Sequence, residues 1–199
     1  MNTTKENQKR WEGAKTMISG GAVVVSVALS IIMISLSDSP GTDPFSAVGE
    51  NNRILFFAWG FSTGLAVYMN LRLLARRLQV KSKFFEIALA IGCSMALVTT
   101  SIVGMQTLMR IIHVSSAAIF GLVCTMCVLA ILIIKLKKKG KQTSVPYITA
   151  LAIAGIVFII ATIYAGWFTA YTQILLANVC LVTMFCSNYI EKWTVETTS

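Results

Sequence analysis

The sequence predicts an all-α integral membrane protein, a bundle of six transmembrane helices with both termini in the cytosol. Three observations lead there. The first is composition: 56% of the 199 residues are hydrophobic and only 13% are charged, at a mean hydropathy of +0.74. A soluble domain carries about 25% charged residues. The second is a series of apolar stretches of spanning length, since a hydrocarbon core about 30 Å thick takes roughly 20 residues of helix. The third is a one-sided distribution of cations between the connections.

The first span runs from Met17 to about Ser37, after a cytosolic tail over 1–16. Its apolar run is too long for a signal-peptide core and no small-residue cleavage site follows it, so it is expected to be retained. The second span covers Ile54 to Leu74 and the third Phe84 to Val103. The fourth, Leu108 to Ile134, is the longest at about 40 Å of helix, and is expected to tilt or to project beyond the core. The fifth covers Pro146 to Trp167, with Pro146 suited to a first turn, where its missing N–H costs nothing. The sixth runs from Thr169 to Tyr189. The bundle thus occupies 17–190 and a short cytosolic tail follows over 191–199.

The 17 Lys and Arg residues orient these spans. Lys5, Lys9, Arg10 and Lys15 precede span one. Arg72, Arg76, Arg77, Lys81 and Lys83 join spans two and three. Lys135, Lys137, Lys138, Lys139 and Lys141 join spans four and five, and Lys192 lies in the last tail. Only Arg53 and Arg110 fall on the other side, and the positive-inside rule then makes the crowded side cytosolic. The net charge of +9 is therefore a topological signal, and no nucleic-acid partner is implied. Lys137, Lys138, Lys139 and Lys141 form a basic cluster suited to anionic lipids at the cytosolic face. The sequon Asn2-Thr3-Thr4 lies on that side and is not expected to carry a glycan.

Cys93, Cys124, Cys127, Cys180 and Cys186 all fall inside spans, so no disulfide framework is indicated. Cys124 and Cys127 form a CxxC on an apolar helix without a second ligand pair, which reads as helix packing before metal or redox chemistry. Cys186, near the cytosolic end, is a candidate palmitate acceptor. Gly60 and Gly64 make a GxxxG in span two, and Ala117 with Gly121 a similar small pair in span four. Such pairs let helices approach closely, first within the bundle and second in a homo-oligomer.

The polar residues of interest gather at the outer face. The connection DSPGTDPFSAVGENNR holds Asp38, Asp43 and Glu50. Arg110 and His113 open span four, three residues apart and so on one helix face, with Gln106 just before them. Thr99, Thr100, Ser101, Ser115, Ser116, Tyr164 and Tyr171 fall near the same level. The preferred expectation is a clasp in which Arg110 and His113 face the interior and meet Asp38, because a charge in hydrocarbon needs a partner. The alternatives are a headgroup or glycan site, or an Arg110 that only snorkels beside a His113 that only satisfies a backbone carbonyl.

No catalytic constellation is present in the sequence. There is one His, and no HExxH, GxSxG, phosphate loop or carboxylate pair within a span. A haem bundle needs two axial histidines. Neither an enzyme nor a cofactor is expected.

Ser37-Asp38-Ser39-Pro40-Gly41, with Pro44 following, resembles the first non-cytosolic loop motif of DRAM-type proteins, the damage-regulated autophagy modulators. Ser101-Ile102-Val103-Gly104-Met105-Gln106 resembles the end of their third span, and His113-x-x-x-Ala117-x-x-Phe120-Gly121 their fourth. Pro40 is an insertion relative to that pattern, and the first loop lacks a cysteine. The resemblance implies six spans and a non-catalytic role in autophagic and lysosomal membrane traffic or lipid homeostasis, at lysosomal, endosomal or plasma membranes. The superfamily also contains remodelling factors for GPI-anchor lipids, which supply one rival. A small transporter or lipid scramblase is the other, and a continuous polar stripe through the bundle favours it.

Overall fold

The computed structural model describes residues 2–38, 45–80, 82–102, 107–165 and 169–198; the side chains of 2–10, 12, 107, most of 139–165 and 191–198 lie outside that description. Gln106 falls outside it altogether. The described elements are all helices: α1 (Asn2–Ser35), α2 (Phe45–Asn51), α3 (Arg53–Arg77), α4 (Lys83–Ser101), α5 (Thr107–Ala165) and α6 (Ala170–Thr198). Five segments are long and apolar enough to cross a membrane: Gly13–Ser35, Arg53–Arg77, Lys83–Ser101, Leu108–Lys138 and Ala170–Ile190. The chain is a multi-pass membrane protein.

The central helix is α3, which packs on α1, α4 and α6. Half of its most apolar stretch is buried by protein, against 17% for α5. On α5 the side chains of Leu108, Ile111, Leu122, Met126 and Ile133 stand exposed. In water so large an apolar face invites association; in hydrocarbon it is the natural outer surface. Small residues set the closest approach. A Cβ on Gly60 lies 2.2 Å from Thr100 Oγ1, and one on Gly64 lies 3.0 Å from the Cys93 carbonyl oxygen, both on α4. The GxxxG is therefore spent inside the bundle, against α4, and is not displayed as a dimer face. Gly121 has open space around it.

The helix ends have local causes. Ser82 caps α4, its side chain accepting from the Phe85 N–H at 3.3 Å, as N-cap serines do. Arg76 and Arg77 close α3, where cations meet the carbonyl end of the helix dipole.

The expected connection between spans four and five is helical in backbone. Helical backbone continues through IKLKKKGKQ, so α5 is 59 residues long and Pro146 falls inside it. The physical reason is composition: Lys, Leu and Gln are good helix formers, and a single Gly costs only about 1 kcal/mol. Both tails are also helical extensions, since α1 begins at Asn2 and α6 continues to Thr198. Lys135, expected in a cytosolic connection, is only 2% exposed and lies beside Leu71, Leu74 and Ile131.

Candidate functional site

At one end of the bundle α2 lies across α3 and α6 and seals a hydrophobic group of Met33, Phe45, Val48, Phe56, Ala170 and Ile174. Phe45 meets Phe56 edge-on at 5.5 Å and Trp59 edge-on at 4.7 Å, and Phe56 stacks on Trp59 at 5.9 Å. Aromatic rings in these offset arrangements make a stiff wall. The Phe45 N–H donates to Gln173 Oε1 at 3.3 Å, fixing α2 to α6.

Below α2 that wall borders a cavity of about 1010 Å³ between α3, α4, α5 and α6. Its surface is mainly apolar, from residues such as Ala96, Val114, Ala117 and Phe120, and its charged members are Glu50, Arg110 and the titratable His113. Several of the polar residues expected at this level are tied down. His113 Nδ1 lies 2.7 Å from the Thr99 carbonyl oxygen. A carbonyl only accepts, so Nδ1 carries the proton. Thr99 Oγ1 and Ser116 Oγ share a hydrogen bond of 2.8 Å. These contacts bind α4 to α5.

The clasp expected between Arg110 and Asp38 is not formed. Asp38 is exposed at the end of α1, and among the described residues no ion pair joins it to Arg110. The acid that shares the cavity with Arg110 and His113 is Glu50. The cause is α2: a linear reading left Glu50 beside Arg53, but one short helix carries it back over the bundle. His113 instead follows the plainer alternative of satisfying a backbone carbonyl, and does so from a half-buried position.

The opposite, basic end holds a network that linear reading missed. Arg77 donates through Nη1 to both the carbonyl and the side-chain oxygen of Asn188, and through Nη2 to Thr16 Oγ1 at 2.8 Å. Asn188 Nδ2 donates to Asn70 Oδ1 at 3.2 Å, and Asn70 Nδ2 to the Ala66 carbonyl at 2.8 Å. Asn188 and Asn70 are buried, so α1, α3 and α6 are joined through groups that hydrocarbon cannot satisfy. The available signal was Asn70, the one amide of span two, and Asn188, one of three amides in span six.

Between the two ends runs a polar seam. Ser26 Oγ and Thr63 Oγ1 lie 2.6 Å apart, Trp59 Nε1 donates to Ser30 Oγ at 2.8 Å, and Ser30 Oγ donates to Asn178 Oδ1 at 3.1 Å. Ser26 and Ser30 are wholly buried.

Of the basic cluster, Lys137 and Lys138 are exposed. Lys138 Nζ donates to the Leu78 carbonyl at 2.8 Å, so its head serves the end of α3. The side chains of Lys139 and Lys141 lie outside the described residues. Cys93, Cys124 and Cys127 meet in one buried apolar cluster, and among the described residues no three His, Cys, Asp or Glu side chains converge to hold a metal. No family model, curated protein or solved structure matches the chain.

Proposed function

We propose that the protein is a six-span membrane modulator without catalysis, of the kind the DRAM-type resemblance implies, and that it acts by holding a membrane lipid in the cavity under α2. The observation that carries this is the distribution of chemistry in the cavity. Its body is apolar and its charged groups are Glu50 and Arg110, an arrangement that matches acyl chains topped by a headgroup and offers little to a soluble polar substrate. A role in lipid homeostasis or membrane traffic at lysosomal, endosomal or plasma membranes follows.

Six crossings are supported by where the ends of the chain's segments dock. Lys138 reaches Leu78 at the basic end, whereas Ala170 packs with Met33 and Phe45 at the α2 end. The reading of a sixth crossing rests on these two positions, since the chain between them has to return from the basic end to the α2 end. With the positive-inside rule the basic end is cytosolic.

Replacing Ala117 or Ala118, both of which line the cavity, by Trp fills the space. The expected result is loss of co-purifying lipid in native mass spectrometry while the protein remains folded. Undiminished lipid in both variants rejects the cavity as the lipid site.

A second reading, transport or scrambling, is favoured by the polar seam of Ser26, Thr63, Ser30 and Asn178. Ser26, Ser30 and Thr63 are buried, Asn178 is half-buried, and the four are hydrogen-bonded within the seam, so the seam is closed in this conformation. A liposome assay of lipid flip distinguishes the two: scrambling abolished by Ser30→Leu supports the second reading over the first.

A further inference from the structure

Resting on the lipid-cavity reading above, we infer that the cavity selects a phospholipid with a primary-ammonium headgroup of the phosphatidylethanolamine type, its phosphate at Arg110 and its ammonium between Glu50 and His113. Charge is the first argument. Arg110 and Glu50 line the same cavity, and among the described residues no ion pair joins them. Two opposite charges held over one apolar space complement a zwitterion. An anionic lipid satisfies Arg110 and leaves Glu50 opposed by like charge.

The second argument is hydrogen bonding. His113 Nδ1–H is committed to the Thr99 carbonyl, which leaves Nε2 as the ring atom that accepts from a ligand in the neutral form. His113 lines the cavity with the Glu50 carboxylate, and the two together offer acceptors to a group with three N–H donors. Choline carries no such donor. Its quaternary ammonium meets Glu50 by charge alone, without the hydrogen bonds that a primary ammonium adds. A serine headgroup brings its own carboxylate toward Glu50. Diacylglycerol brings neither charge and reports the apolar cavity alone.

The test is native mass spectrometry of the purified full chain, offered an equimolar mixture of phosphatidylethanolamine, phosphatidylcholine, phosphatidylserine and diacylglycerol with identical acyl chains. A charge-assisted hydrogen bond predicts about a tenfold excess of retained phosphatidylethanolamine over phosphatidylserine and diacylglycerol. Glu50→Gln then lowers phosphatidylethanolamine to the phosphatidylcholine level and leaves diacylglycerol unchanged. Arg110→Gln lowers both zwitterions and leaves phosphatidylethanolamine above phosphatidylcholine, because Glu50 still meets its ammonium. Equal retention of all four by the unaltered chain overturns the headgroup inference and leaves the lipid cavity standing, as does an excess of phosphatidylserine. An unchanged phosphatidylethanolamine preference in the Glu50 variant overturns it as well. Retention of no lipid at all overturns both. The comparison among lipids uses the unaltered chain, so a variant that fails to fold does not rescue the inference.

Discussion

His113 Nδ1 and the carbonyl oxygen of Thr99, 2.7 Å apart, join the start of α5 to the end of α4. Thr99 sits in the last turn of α4, where carbonyls have no helical partner. The side chain of one helix thus completes the hydrogen bonding of another.

His113→Leu is expected to lower stability by about 1–3 kcal/mol, the range for leaving a buried acceptor unsatisfied. His113→Asn, whose amide nitrogen stands near the place of Nδ1, recovers part of it. Thermal unfolding in detergent reads both, and equal stability of the Leu and Asn variants contradicts the assignment.

Asp38→Asn and Arg110→Gln are expected to act independently, because no contact joins the two residues. A double-mutant cycle checks this, with coupling below about 0.3–0.5 kcal/mol. A larger coupling restores the clasp that linear reading preferred.

Gly60→Ala places a methyl 2.3 Å from Thr100 Cγ2, and overpacking of this kind costs about 1–3 kcal/mol. Gly121→Ala meets open space and stays within about 0.5 kcal/mol of the parent. The oligomeric state is expected to be the same in both variants. A change in oligomer size with Gly60→Ala alone returns the GxxxG to an intermolecular role.

Epitope tags at the two termini are expected to become accessible to antibody only after the membrane is permeabilised, both together. A cysteine introduced at Asn51, exposed at the end of α2, is labelled by an impermeant reagent from the non-cytosolic side. Termini on opposite sides reject six crossings.

The helical class and the membrane setting were legible because they rest on composition and on runs of about 20 apolar residues, properties that need no tertiary information. The limits of spans one to three follow the predicted ones within a few residues for the same reason. The helical backbone of the connection after span four was not legible, because Lys-rich chain reads equally as a connection and as a helix. Within the site, the level of Arg110 and His113 followed from topology, but their partners did not. Glu50 depends on a seven-residue α2, too short to show in a periodicity. Arg77, read as one more loop cation, depends on Asn188, a partner 111 positions away.

That span of sequence bears on biogenesis. When α1 and α3 have entered the membrane, Arg77 has Thr16 but must wait for Asn188, which lies near the end of the chain. Until α6 is synthesised and seated, the guanidinium and the Asn70 side-chain oxygen lack the contacts that Asn188 makes. α6 therefore closes this network, and a chain without it leaves the Arg77–Asn188 and Asn70–Asn188 bonds unmade. Truncation before Ala170 is expected to shorten cellular half-life out of proportion to the length removed, even though α1 to α4 keep most of their mutual packing.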